Sequence, residues 1–276
     1  MKMEGASEKR AAIALDPSPG DFGILYDQTS DDMTDMLGGY IHAGYWENPN
    51  QYERPEVAGE RLTREVGDRL SLSQGQHILD VGCGTGKSTV QIATTYGVRV
   101  TGITISKQQV EIARTQYGRE VLAGHVHFQF TDAMDMPFAD ASFDSAYAIE
   151  SLVHMLDKRS AIAQIARVLR PGGRLVIADL VADHSCPGSP ISTRYAEVFR
   201  TPPLASVDDL RKLLSQEGFK VTNVTDIREN VRPTNQLFKK KALSLGGEFG
   251  QKLLELSSVL EQLQDLGYAL IIAERL

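Results

Sequence analysis

Apolar residues in this chain fall into two alternating rhythms. Short runs over His77–Val81, Val98–Ile103, Val126–Phe130, Phe143–Ile149 and Arg174–Ala178 have the length and β-branched content of buried strands. Between them, Lys87–Tyr96, Lys107–Tyr117 and Arg159–Leu169 repeat apolar residues every three or four positions, which predicts helices with one buried face. Ser106 stands where it caps the second helix, and Arg170-Pro171-Gly172-Gly173 terminates the third. Strands and helices alternating at this spacing predict an α/β fold, with a parallel sheet wound by right-handed crossovers and flanked by helices.

Outside this core the rhythm changes. Residues 1–20 are small, charged and Pro/Gly-containing, and read as a flexible tail. Asp21–Leu37 and Glu56–Leu70 read as helices. Between them lies Gly38-Gly39-Tyr40-Ile41-His42-Ala43-Gly44-Tyr45-Trp46, either a loop packing rings on the core or a lid over a pocket. Residues 182–204 hold Pro187, Pro190, Pro202 and Pro203 around a helical patch near Tyr195–Phe199. Ser206 caps a helix over Val207–Gln216, Gly218 ends it, and Phe219–Ile227 is a sixth strand. Pro233–Leu266 reads as helix, with Leu253, Leu256, Leu260 and Leu263 as a core-facing stripe; Gly267 breaks it and Tyr268–Ala273 is the last strand.

The first strand ends in Gly82-Cys83-Gly84-Thr85-Gly86, and Lys87 opens a helix. Glycines at alternate positions let the backbone turn tightly and lie against a ligand. Such a ligand sits where α/β proteins place small molecules, at a strand's carboxyl end. A dinucleotide turn needs glycine at 87 or 89, where Lys87 and Thr89 stand. A P-loop needs glycine at 81, but Val81 lies inside the strand and leaves the loop too short to wrap a phosphate. S-adenosylmethionine needs only that its amino-acid end and ribose approach the backbone, and Asp80 can orient its ammonium group.

Composition narrows the partners. The 276 residues suit one α/β domain with insertions, and 42% hydrophobic with 24% charged residues is an ordinary soluble balance. A net charge of −7 argues against nucleic acid, which needs a basic surface. No apolar run approaches the ~20 residues of a membrane span, and Met1–Gly5 opens no signal peptide. Cys83 and Cys186 alone make neither a disulfide framework nor a zinc set, so the expectation is a cytoplasmic protein without a metal.

Leu79-Asp80-Val81-Gly82-Cys83-Gly84-Thr85-Gly86 resembles the first motif of class I S-adenosylmethionine-dependent methyltransferases, and later segments match in order from about residue 40 onward. The resemblance implies a doubly wound, Rossmann-like seven-stranded sheet of order 3-2-1-4-5-7-6, the last strand antiparallel. One domain would span 21–276, with a lid at 21–70, a cofactor-binding core at 71–181, and substrate caps at 182–204 and 233–266. Asp80, Gly82, Cys83 and Gly84 would hold the amino-acid end. The acid that often grips the ribose is missing from Gly102-Ile103-Thr104-Ile105-Ser106, which resembles a subgroup with V-T-G-[IV]-[ST]-[IL]-S-x-x-Q. On that match Thr104, Ile105 and Gln109 flank the ribose, Asp132, Ala133 and Met134 form the adenine edge, and Glu150 faces the methionyl part or supports the strand end.

Methyl transfer to an oxygen needs alignment, exclusion of water and removal of a proton. His154 lies just past the fourth strand and Asp179 ends the fifth, so both should project from the edge that holds the cofactor. A histidine oriented by a carboxylate is a general-base pair. Glu150-Ser151-Leu152-Val153-His154-Met155 resembles the matching stretch of bacterial indolocarbazole-sugar O-methyltransferases, which carry two consecutive histidines where this chain has Val153 and His154. The segment Ile41–Trp46 resembles the lid of the same subgroup, making His42 a second candidate base. The whole is similar to natural-product O-methyltransferases, including fungal alkaloid enzymes of the roquefortine–meleagrin type. This implies methylation of a secondary-metabolite hydroxyl, an indole alkaloid among the candidates. Tyr26, Met33, Met36, Tyr40, Trp46, Tyr195, Phe199 and Phe238 would suit a bulky, partly aromatic acceptor. The alternatives are N- or C-methylation of a small molecule or lipid, and a catalytically silent cofactor-binding module.

Overall fold

The computed structural model describes residues 34–51, 53–182, 193, 195–196, 201–245, 251, 254, 257–258 and 266–276. The expected tail, most of the first expected helix, Tyr26, Met33, Cys186, Phe199 and the leucine stripe 253/256/260/263 lie outside the described residues.

Seven strands form one sheet in the order β3-β2-β1-β4-β5-β7-β6. They are β1 (His77–Val81), β2 (Arg99–Thr104), β3 (Val126–Phe130), β4 (Phe143–Ile149), β5 (Leu169–Ala182), β6 (Phe219–Asp226) and β7 (Leu266–Arg275). β1 to β5 pair in parallel, while β7 runs antiparallel to both β5 and β6. The order follows from the winding: β1 to β3 step one way from the centre, and β4 and β5 step the other way.

Helices cover both faces. α1 (Pro55–Leu70), α2 (Lys87–Tyr96) and α3 (Lys107–Gln116) bury Leu62, Val66, Ile92 and Val110 with Ile78, Val100 and Tyr147 of the sheet. α5 (Lys158–Val168) and α6 (Val207–Gln216) bury Ile162, Ile165, Leu210 and Leu214 with Leu79, Ala146 and Ile177. Neighbouring strand residues such as Ile78 and Leu79 therefore enter opposite cores, which is why the strands read as unbroken apolar runs. Each fully buried aliphatic chain contributes about 1.5–3 kcal/mol. A short α4 (Gly118–Leu122) follows α3, while α7 (Arg228–Val231) and α8 (Thr234–Leu245) follow β6. Pro55 opens α1, where its missing N–H costs nothing, and Ser206 with Asp209 makes a reciprocal capping box on α6.

Two sequence expectations need correction. β5 begins at Leu169 and runs to Ala182, well past the expected Arg174–Ala178, with Arg170–Gly173 bulged between the Phe143↔Leu169 and Ser145↔Arg174 pairs. Gly267, expected to break a helix ahead of a strand starting at Tyr268, lies inside β7, opposite Val181. A Cβ at Gly267 would come within 2.8 Å of the Val181 side chain, so close strand approach is what selects glycine there. Continuous antiparallel pairing from Arg174↔Glu274 to Ala182↔Leu266 outweighs the local turn signals.

Candidate active site

The carboxyl ends of β1, β4 and β5 lie side by side and carry most of the polar groups of interest. Past β1 the chain turns back: the N–H groups of Gly82 and Cys83 both donate to Ile103 O at 2.9 Å, and Gly86 N–H donates to Cys83 O at 3.0 Å. Gly82, Gly84 and Gly86 all have positive φ, of 86°, 54° and 88°. A Cβ would strike Ser151 at position 82, Phe128 at position 86 and the Ile41 side chain at position 84. The turn is thus wedged between the end of β4, the sheet face and the segment 39–46, and positive φ with close side-chain approach favours glycine at these three positions.

Asp80 sits just before the turn, 2% exposed. Its Oδ2 accepts from Thr89 Oγ1 at 2.6 Å and from Tyr147 OH at 2.8 Å. Burial pushes its carboxyl up to about 6, opposed by these two hydroxyl donors. Asp80 lines a small cavity together with Gly82, Thr85, Lys87, Ser88 and the segment Gly39–His42. That free space is about 20 Å³, room for about one water molecule.

The segment over the turn is fastened from several sides. Lys87 Nζ donates to Gly38 O at 2.6 Å and stands 4.4 Å from the centre of the Tyr40 ring. Tyr40 OH donates to Gln91 Oε1 at 2.7 Å. His42 Nδ1 faces Ala43 O at 2.8 Å, so that nitrogen carries the proton and Nε2 accepts from Ser88 Oγ, also at 2.8 Å. Burial lowers the His42 pKa to about 4, with the Lys87 charge adding to the effect. His42, a second candidate base by sequence, is a neutral brace between the 39–46 segment and α2, and Thr63 Oγ1 approaches the same hydroxyl at 3.1 Å.

Toward β3 the ribose and adenine candidates share one edge. Thr104 Oγ1 donates to Gln109 Oε1 at 2.7 Å and accepts from Ser106 N–H at 3.2 Å. Ser106 Oγ accepts from Gln109 N–H at 3.0 Å, the expected helix cap. Gln109 is turned back on the strand end and buried, with half-buried Ile105 between. Thr131 N–H donates to Thr104 O at 2.9 Å, which aligns the ends of β2 and β3. Asp132 Oδ1 accepts from Met134 N–H at 2.9 Å, folding Asp132-Ala133-Met134 into a tight turn with Ala133 buried.

Toward β7 the ionisable groups gather. Glu150 has a left-handed backbone, φ 46°, and its N–H donates to Ala178 O at 2.8 Å. Its Oε1 accepts from Ala43 N–H at 2.7 Å and from Tyr268 OH at 2.9 Å. It is not among the residues lining the cavity over the glycine turn. Asp179 Oδ2 accepts from Val153 N–H at 3.0 Å and Oδ1 from Leu180 N–H at 2.9 Å. Burial raises both carboxyls to about 7, and the charge of Glu150 adds to the rise at Asp179. His154 ends a 3₁₀ turn over Leu152–His154; burial, with Lys158 adding to it, lowers its pKa to about 3. Lys158 Nζ donates to Met155 O at 3.2 Å. Asp179 therefore reaches His154 through the backbone of the turn it supports, since its carboxyl oxygens take the N–H groups of Val153 and Leu180.

Several participants were not singled out by sequence: Lys87, Ser88, Thr89, Tyr147 and Tyr268. Lys87 and Ser88 directly follow the glycine turn, a signal that was available. Tyr147 and Tyr268 read as strand core. The cap aromatics Tyr40, Trp46, Tyr195 and Phe238 are all buried.

The donor set is of the kind that suits the amino-acid end of S-adenosylmethionine: a carboxyl for an ammonium, beside a positive-φ glycine turn, the Ser88 hydroxyl and the Lys87 ammonium at the amino end of α2. With the 39–46 segment where it stands, the space between them is about 20 Å³, so that segment would have to shift to admit the group. A family model described as a methyltransferase domain matches residues 79–177, from β1 into β5. The chain is 70% identical over 277 residues to the O-methyltransferase cnsE of Penicillium expansum, covering 99% of this chain and 100% of that protein. It is 58% identical over 264 residues to the O-methyltransferase resE of Aspergillus sclerotiorum, covering 96% and 100%. Among solved structures, the [4+2]-cyclase SpnF is similar at a TM-score of 0.81 and 30% identity, over 94% of this chain and 97% of that one. With the strand order, the glycine cradle and near full-length identity in agreement, the chain belongs to the class I S-adenosylmethionine-dependent methyltransferases, in their small-molecule O-methyltransferase branch.

Proposed function

We propose that this enzyme methylates a hydroxyl of a secondary metabolite in the cytosol, with an indole alkaloid as the acceptor class to test first. The observation that carries the reading is the 70% identity, end to end, with a named O-methyltransferase. S-adenosylmethionine supplies a methyl group on a sulfonium that leaves as a neutral thioether. Asp80, Gly82, Cys83 and Gly84 receive its amino-acid end, Thr104, Ile105 and Gln109 its ribose, and Asp132, Ala133 and Met134 its adenine. The Tyr40–Trp46 segment excludes water from the reacting centre.

His154 is the base in this reading. Burial and the Lys158 charge lower its pKa to about 3 in this structure, which weakens it as a base, so the reading requires the bound acceptor to raise it toward neutrality before the hydroxyl proton can transfer. Asp179 positions it by holding the Val153 N–H. A bulky, partly aromatic acceptor would lie under the caps at 182–204 and 233–266. The test is incubation with methyl-labelled cofactor and a panel of hydroxylated alkaloids and phenols, read by mass spectrometry. His154→Ala should lower kcat by about 10²–10⁴-fold. Undiminished turnover in that variant would end the base assignment, and label recovered only on nitrogen or carbon would end the O-methylation reading.

The likeness to a cyclase supports a second reading, in which the fold binds cofactor without transferring its methyl. An acceptor converted without label uptake would favour it.

A further inference from the structure

We propose that Glu150 is a positioning residue that fastens the Tyr40–Trp46 segment over the bound cofactor, tying it to the strand ends on the acceptor side. The inference rests on S-adenosylmethionine binding at the glycine turn. Three observations lead to it.

The first is backbone. Glu150 holds φ 46°, a region that side-chain-bearing residues seldom enter and that glycine enters freely. A glutamate kept there points to what its side chain reaches.

The second is reach. Oε1 receives the lid's Ala43 N–H at 2.7 Å and the Tyr268 OH of β7 at 2.9 Å, so one oxygen joins lid and sheet. The other ties of this segment go to helices. His42 meets Ser88 of α2, Tyr45 N–H donates to Ala58 O of α1, Trp46 N–H donates to Asn230 O of α7, and Gly44 N–H meets Thr234 Oγ1 of α8. Among the described residues, Glu150 supplies this segment's tie to the carboxyl edge of the sheet. Ala43 lies two residues from Ile41, whose side chain covers Gly84, so this tie holds the part of the lid directly over the turn.

The third is charge. Tyr268 of β7 and Asp179 of β5 face the carboxyl, Tyr195 faces Tyr268, and Lys158 of α5 reaches Asp179 and His154. His42, the lid's titratable neighbour of Ala43, is neutral. With the lid shut, burial raises Glu150 from 4.5 to about 7. Opening the lid hydrates the carboxyl and returns it toward the ordinary carboxylate range. The shut state therefore binds the proton more tightly. Closure is fully favoured below the ordinary range, weakens as pH rises, and is weakest above 7.

Trp46 is the lone tryptophan and lies on the lid, so its fluorescence reports the motion directly. Release of S-adenosylhomocysteine after dilution, followed by stopped flow, should be about tenfold faster at pH 8 than at pH 6 in the wild-type enzyme. Glu150→Gln keeps an accepting oxygen without a titrating proton. It should release at nearly the wild-type pH 6 rate and lose the pH dependence. Glu150→Ala should release about tenfold faster than wild type at pH 6, and Tyr268→Phe about threefold faster. If Glu150→Ala does not fold, the Gln and Phe variants carry the test. Wild-type release rates in Glu150→Ala, or an unchanged pH dependence in Glu150→Gln, would overturn the latch alone. No binding of S-adenosylhomocysteine to the wild-type enzyme would overturn the cofactor reading and the latch together.

Discussion

The two halves of the sheet's carboxyl edge are built on different physical terms. On the β1–β2–β3 side, the bonds that shape the edge run mainly between close neighbours: Thr104 with Gln109, Ser106 with Gln109, Asp132 with Met134. On the β4–β5–β7 side, Glu150, Asp179, His154 and Lys158 crowd together, and their contacts span the chain: Ala43 to Glu150, Glu150 to Tyr268, Val153 to Asp179. The first side is shaped mainly by these local bonds, with Asp80, raised to about 6 by burial, as its displaced carboxyl. The second brings together two carboxyls raised to about 7, so its behaviour shifts more with protonation near neutral pH. In the function proposed above, the first side receives the cofactor and the second handles the proton.

Substitutions can break or sharpen that contrast. The largest effect should come from His154→Ala, which lowers kcat by about 10²–10⁴-fold and leaves the cofactor Kd within about threefold. Asp80→Asn, on the opposite side, should raise the cofactor Kd by about 10–100-fold, measured by calorimetry, with kcat at saturation changed much less. If both variants moved kcat alone, the division between the two sides would fail. Thr104→Val removes the hydroxyl that holds Gln109 and should weaken cofactor binding by about 1 kcal/mol.

Stability should follow the β4–β5–β7 side. Glu150 and Asp179 both titrate near 7 in the fold, above their unfolded values. The stability they contribute is fully present below the unfolded carboxylate range and is lost as pH rises through about 7. The fold should therefore be more stable at pH 5.5 than at pH 8, by on the order of 1–2 kcal/mol for each carboxyl, read in thermal unfolding as a higher Tm. The double variant Glu150→Gln, Asp179→Asn should flatten that slope. The smallest effect belongs to a site on neither side. Arg64→Ala removes an exposed i,i+4 pair with Glu60 and should shift stability by less than about 0.5 kcal/mol, with activity unchanged.

The same contrast explains what could be read without coordinates. The glycine turn and the Ser106 cap rest on local patterns, the strand order on the resemblance those patterns carry, and each has its structural counterpart. The extent of β5 and the place of Gly267 inside β7 were not legible, because long-range antiparallel pairing sets them. Nor was the way Asp179 reaches His154. Sequence puts both on one edge, but only packing shows that the carboxyl oxygens hold backbone N–H groups. Tyr147 and Tyr268 could not be told from core, since both are core by burial while their hydroxyls serve Asp80 and Glu150.

The length of β5 has a further consequence. At its end Ala182 pairs with Leu266 of β7 and bridges to Ser206, so three distant points of the chain meet at one rung. Everything between 182 and 206 leaves and re-enters at that rung, and the chain that follows α8 returns to it at Leu266. In the function proposed above, the caps expected at 182–204 and 233–266 would take their purchase on the sheet from Ala182, Ser206 and Leu266. A chimera that takes 183–205 and 246–265 from a relative should then change which molecule is methylated and leave the cofactor Kd within about threefold.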